Sequence, residues 1–450
     1  MLTPEYLTRI VDATQEKVSE VNAYLVARIA RRIKELFEST GKVDISPSSI
    51  SDINKQLAAG KVYEEVQSEI EKELPGIQRE VKRAFYDAAG KISYDNAVFT
   101  KKVVEIEQEQ GNLLDIELPK ATKLEKIGIP EDASKLNMTP KEIRVLESAY
   151  KRTNGEIYNL TRTCAGEAQR DFIEACDRAF FRVKHGVSID TAIMDAINEV
   201  ASKGITTVHY GRRNDSIESA IARAVRTGVN QANGDIVLTR CAEMGVNHVL
   251  ASQHVGARVT KRDDYTNHSL WQGKVYKIDW NNPTLSQYEP TLQEIQENSN
   301  SFAFLDKIKG FFQSKKDDNK YQDFIMECGY GQMLGICGIN CRHSFGAFYP
   351  GVNINTNKPI NQKLNEEKYN LEQKQRSMER EIRKTKRVKN AIEASDLEGK
   401  EFAERIRGIN RLIKERTESY NSFCAAHADK GIKPINWRLK VAKAEGIPNE

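Results

Sequence analysis

Within seven positions, Cys337, Cys341, Arg342 and His343 bring together two thiols, a guanidinium and an imidazole. Gly335 and Gly338 lie among them, and Tyr349-Pro350-Gly351 follows. No hydrophobic period accounts for that mixture. A core strand alternates apolar residues, and a helix does not hold two glycines cheaply. The stretch therefore reads as a structured loop or strand end with a required geometry. As metal ligands, Cys337, Cys341 and His343, with His254 and His268 upstream and Cys328 nearby, offer soft and borderline donors of the kind zinc takes in a tetrahedron, although the spacing matches no common zinc signature. As a nucleophilic site, Cys337 or Cys341 needs a thiol pKa lowered by a nearby imidazole or guanidinium. Arg342 and His343 are neighbours of Cys341, but sequence neighbours on a strand point to opposite faces. As plain structure, the cysteines are small buried hydrophobes and His343 completes a hydrogen bond. This last reading is preferred, so no catalytic residue and no cofactor is expected, with structural zinc as the alternative.

Two further clusters are dense in polar groups: His254-Val255-Gly256-Ala257-Arg258, and His268 followed by Trp271-Gln272-Gly273-Lys274-Val275-Tyr276. An enzymatic reading, nuclease-like or a thiol hydrolase, requires His254, Arg258, His268 and His343 to converge around an open cleft. The preferred reading places Trp271 and Tyr276 in a core, with the histidines orienting loops. None of the serine-hydrolase, zinc-protease or phosphate-loop signatures occurs.

These clusters need elements to position them. The chain has 450 residues, 39% hydrophobic and 29% charged, enough for two or three domains. Its 68 basic and 64 acidic residues leave a net charge of +4, so any nucleic-acid surface must be local. The first residues show no secretory signal pattern, and no run is apolar enough to span a membrane. The seven cysteines are odd in number and scattered, which suits reduced thiols.

We read the fold as α+β: a mainly helical N-terminal region, a central α+β domain and a charged C-terminal helical hairpin. Residues 1–110 form a helical docking region. One helix is predicted over 4–37, stopped by Gly41; another starts at Ser48–Ser51, and a third covers Lys61–Leu74, ending before Pro75. Residues 111–204 hold a Pro/Gly-rich break and then helices over 140–182 and 188–203, opened by Thr139-Pro140-Lys141-Glu142 and by Ser188. Residues 205–355 form the central domain, with a helix over Ser216–Gly228, strands over Val246–Ser252 and Lys274–Ile278, and an inserted segment at 284–330 that carries a short apolar helix at Phe302–Phe312. Residues 361–450 form the basic hairpin and tail. Within 374–389, eight basic residues face two acidic ones, a local net of +6. Arg376, Arg380, Arg383, Lys384, Lys386, Arg387 and Lys389 are candidate contacts to DNA phosphates, independent of base sequence; the plainer reading is a solvated helix face.

In their order, these pieces resemble a known family. Arg212-Arg213-Asn214-Asp215-Ser216, the run Arg223 to Gln231, His254 to Arg258, His268 to Tyr276 and Gly335 to Ser344 look like the tailed-phage minor capsid protein 2 family. That family is similar in turn to the Mu F-type head morphogenesis proteins, in which a cysteine stands where this chain has His343. The basic stretch around Arg380 resembles the family's C-terminal region. The resemblance implies a structural head protein of the virion, present in few copies and acting in head morphogenesis. It also implies contacts to the portal or the inner capsid, and to packaged double-stranded DNA. It implies no membrane contact, and assembly in the host cytoplasm. Some F-type relatives carry toxin modules, and no such module is visible here.

Overall fold

A computed structural model describes residues 1–40, 49–109, 136, 138–209, 213–288, 320–350 and 352–444. The expected stop at Gly41, the break over 111–135 and the apolar helix at 302–312 lie outside them. The expected fold class holds: helices dominate the N-terminal region, strands enter in the middle, and a helix pair closes the chain.

Where periodicity over 4–37 predicts one helix, there are two: α1 (Pro4–Arg9) and α2 (Asp12–Thr40). Thr3 caps α1, its hydroxyl accepting from the Tyr6 amide at 3.1 Å. The next helix, α3, runs unbroken from Ser49 to Glu109 with Pro75 inside it. The predicted stop at Leu74 is therefore a correction. A proline removes one backbone bond and crowds the preceding turn, at a cost of about 3 kcal/mol. The buried stripes on either side, Val62, Val66 and Ile70 before it and Ile77, Val81 and Phe85 after it, outweigh that cost.

Helix α4 (Pro140–Arg162) opens on the predicted capping box. The Thr139 amide donates to Glu142 Oε2 at 2.8 Å and the Glu142 amide to Thr139 Oγ1 at 3.2 Å. The predicted helix over 140–182 breaks at Thr163, before α5 (Cys164–Lys184). The reason is local: Thr163 Oγ1 accepts from the Val208 amide at 3.1 Å and pairs with Thr207 Oγ1 at 2.8 Å. It therefore serves a hairpin that the sequence pattern does not announce, β1 (Thr206–His209) against β2 (Arg213–Ser216). Before the hairpin in sequence, α6 (Ile189–Lys203) starts at Ser188 as predicted, the serine hydroxyl accepting from the Thr191 amide.

Helix α7 (Ile217–Met244) passes through Gly228, the predicted end of the helix. Gly228 is there for close packing. A Cβ on it would come within 2.1 Å of Thr153 Oγ1. After α7 come β3 (His248–Ala251), α8 (His268–Trp271), β4 (Val275–Lys277), α9 (Phe324–Cys328) and β5 (Phe345–Ala347). The sheet order is β4-β3-β5, all antiparallel, with Val249 opposite both Tyr276 and Ala347. The C-terminal pair is α10 (Gln362–Glu393) and α11 (Lys400–Ala426), with Asp396 and Gly399 at positive φ in the turn between them.

The chain forms two compact units, each assembled from three separated segments: residues 1–11, 80–154 and 223–369 in one, and 12–79, 155–222 and 370–450 in the other. The first unit's core holds Phe85, Trp271, Tyr276, Phe324 and Phe345. It also contains a buried ion pair. Arg240 donates from Nε and Nη2 to the two Glu142 oxygens at 3.0 and 2.8 Å. This forked geometry is the one in which a desolvated pair is best compensated. The second unit buries Phe37, Phe172 and Tyr420. Its C-terminal part packs Ile382, Tyr420, Cys424, Ile432 and Leu439 together.

Candidate functional site

The polar clusters that stand apart in sequence meet in the first unit. Strand β3 leads into the loop that carries His254 and Arg258. Helix α8 supplies His268 and Trp271, and the turn-rich stretch 328–344 delivers Cys337, Cys341, Arg342 and His343 before β5. That stretch holds its shape through glycines and left-handed turns. A Cβ on Gly335 would fall 1.9 Å from the Gly329 carbonyl oxygen, and one on Gly338 would fall 2.4 Å from that of Met333. Cys337 and Asn340 adopt φ of 60° and 57°, conformations uncommon for residues with a side chain. The expectation of a loop with a required geometry is met.

Three histidine rings and one indole then pack together. His254 stacks on His343 with centroids 4.4 Å apart. Trp271 lies 4.8 Å from His343 and 4.7 Å from His268. His268, Trp271, Cys341 and His343 are all buried. Burial drives the His254 and His268 pKa values down to about 3 and also holds that of His343 well below the ordinary imidazole value, which favours neutral rings. Burial also pushes the Cys337 and Cys341 thiols up. A cysteine nucleophile needs the opposite shift.

The guanidinium groups are structural in their contacts. Arg258 donates to the carbonyls of Leu334 and Ile339, and Arg342 to that of Gly256 at 3.3 Å. Trp271 Nε1 donates to the Tyr265 carbonyl at 3.0 Å, and the Tyr276 hydroxyl to the Trp271 carbonyl at 2.6 Å. Of the histidine–arginine set expected for an enzyme, the histidines converge, but Trp271 and Cys341 fill the space among them.

Three residues that sequence reasoning missed fix this arrangement. Asn365, at the start of α10, accepts from the Gly256 and Ala257 amides at 2.9 Å each and donates to the Ala257 carbonyl at 3.1 Å. Asn230 on α7 donates to the His343 carbonyl at 2.8 Å. Gln272 Oε1 accepts from the His254 amide at 2.9 Å and meets His343 Nε2 at 3.2 Å. A buried asparagine in a helical pattern was the available signal for the first two, but a sequence does not show burial directly.

Of the ligands considered for a metal, Cys341 and His343 come together, whereas Cys337 turns its sulfur toward the His343 carbonyl at 3.8 Å. The third group in reach is His268. One donor atom each from His268, Cys341 and His343 lies within 4.8 Å of the other two.

The basic stretch on α10 divides in two. Arg383 donates to the Arg438 carbonyl, Lys386 to that of Leu439, and Arg387 to those of Ala201 and Ser202 while facing Glu218 at 3.7 Å. Lys389 pairs with Glu393 and Arg376 with Glu372. Arg380 and Lys384 point to solvent. No helix among the described residues is long and apolar enough to cross a membrane.

Residues 2–416 match the family model described as phage minor capsid protein 2. Two curated relatives are each called a structural protein. The one from Lactococcus phage LL-H is 24% identical over 279 residues, 58% of this chain and 64% of that protein. The one from Lactococcus phage mv4 is 37% identical over 109 residues, 24% of this chain and 87% of that protein. The chain thus spans a little under two thirds of the first relative. No solved structure matches.

Proposed function

Because the chain belongs to the phage minor capsid protein 2 family, we propose that this virion structural protein works in head morphogenesis by binding and positioning, without bond chemistry. Its partners are the portal, the inner face of the capsid shell, or both, in few copies per particle, and it reaches them in the host cytoplasm during assembly. The observation that carries this reading is the packing of the polar cluster. Of the residues best suited to catalysis, His268 and His343 pack against Trp271, His254 stacks on His343 and Cys341 lies between the His268 and His343 rings, with Arg258 and Arg342 engaged by backbone carbonyls. Such a network rigidifies a module.

Contact with packaged DNA belongs to the same reading, through the exposed part of α10 around Arg380 and Lys384. Phosphate contacts of this kind ignore base sequence and weaken steeply with salt. The test of the whole reading is an asymmetric electron-microscopy reconstruction of the assembled head. Density for this chain at the portal vertex or on the inner shell supports it, and a particle without the chain refutes it.

A further inference from the structure

The geometry points to a zinc site: we propose that His268, Cys341 and His343 bind one zinc ion in the first unit. The argument begins with hydrogens. His268 Nε2 lies 2.8 Å from the Leu334 carbonyl oxygen, which only accepts. His343 Nε2 lies 3.2 Å from Gln272 Oε1, which also only accepts. Each neutral ring therefore carries its proton on Nε2 and presents a bare lone pair on Nδ1. Both lone pairs face one sulfur, Cys341 Sγ, at 3.7 and 3.6 Å. A single thiol has one proton and satisfies one of them. The other nitrogen would remain buried against sulfur lone pairs, which is costly. One cation among the three atoms satisfies all of them.

The two N···S distances suit zinc. With Zn–S near 2.3 Å and Zn–N near 2.0–2.1 Å, a tetrahedron has an N···S edge of about 3.6 Å. Two imidazoles and a thiolate are a donor set that zinc accepts. The surroundings are those of a ligand shell. Each ring is oriented through its far nitrogen, and the His343 amide donates to Cys341 Sγ at 3.3 Å, as a thiolate requires. Among the described residues, Gln272 is held by its oxygen alone, its buried Nε2 meeting no partner there, so its orientation is set by the two groups that donate to Oε1. His254, stacked on His343, is a further nitrogen donor beside the trio. Binding displaces the Cys341 thiol proton to solvent and changes no oxidation state.

The test uses the full chain, untagged, incubated with zinc and desalted. Elemental analysis is expected to find about one zinc per chain. Less than about 0.1, or stoichiometric copper or iron in its place, overturns the proposal. X-ray absorption is expected to show one sulfur at about 2.3 Å with nitrogen neighbours; a shell with no sulfur, or with two, overturns it. In competition with a chelator, Gln272→Ala is expected to weaken zinc binding about 10- to 100-fold, and unchanged affinity counts against the site. Cys337→Ala is expected to keep the metal. If that variant does not fold, Cys341→Ser is measured instead: it is expected to lose the sulfur neighbour, and a sulfur shell that persists overturns the assignment to Cys341. None of these outcomes depends on where the chain sits in the head.

Discussion

At the scale of residues, the cluster around Trp271 is a buried part of the first unit's core. Trp271 packs against the His268 and His343 rings and is held by its indole nitrogen. Trp271→Ala should cost about 3–5 kcal/mol in denaturant unfolding, the range for a fully buried aromatic. A loss under about 1 kcal/mol would mean that the rings do not form a core. Asn365→Ala strips the acceptor from two buried amides and should cost about 2–3 kcal/mol by the same measurement. Glu243 offers a pH test. Burial pushes its carboxyl up to about 7, with Arg240 drawing it down and Glu142 pushing it further up. The folded value lies above the unfolded one near 4.3. Its stabilisation is therefore full below the unfolded value and is lost as pH rises through about 7. Glu243→Gln should make the melting temperature fall less steeply between pH ~5.5 and ~8 than it does in the natural chain; identical slopes would refute the assignment. Which residues were dense in chemistry was legible from spacing alone. Which of the candidate ligands would face Cys341, His268 and not Cys337, was not, because it depends on left-handed turns at Cys337 and Asn340 that no composition reveals.

At the scale of elements, apolar periodicity located the helices well and punctuation residues misplaced their ends. Pro75 and Gly228 both read as stops, and both lie inside helices because side-chain packing outweighs local preference. The Thr139 and Ser188 caps were legible because their hydrogen bonds span three residues. The short strands β1, β2 and β5 escaped, whereas β3 and β4, no longer than these, lie within the apolar runs Val246–Ser252 and Lys274–Ile278. Pro75→Ala restores a backbone donor and should stabilise the chain by about 1–3 kcal/mol in unfolding measurements. Destabilisation would show that a bend at Pro75 is required by the packing of Ile77 and Val81. On α10, the charge run was visible in sequence, but its division into structural and exposed members was not. Arg380→Glu with Lys384→Glu should weaken DNA binding and reduce the salt slope by about 0.9 for each phosphate no longer neutralised, with little change in stability. Arg383→Ala should instead destabilise the C-terminal part, since it removes the donor to the Arg438 carbonyl. An unchanged salt slope in the double variant would remove DNA from the account.

At the scale of the whole molecule, each compact unit is built from three stretches of chain that no linear division of the sequence reproduces. The order of the motifs was enough to place the chain in its family, because that order reports which segments must meet. Under the proposed function, the chain acts by staying in place. Its effect should therefore scale with the number of copies assembled. The direct measurement is a titration in a phage deleted for this chain: supply it at graded levels from a plasmid, then count infectious particles and the copies retained in each purified head. The account predicts that infectivity falls in proportion to the chain incorporated and that every infectious head retains it. Full infectivity from heads that contain none of it would contradict the account.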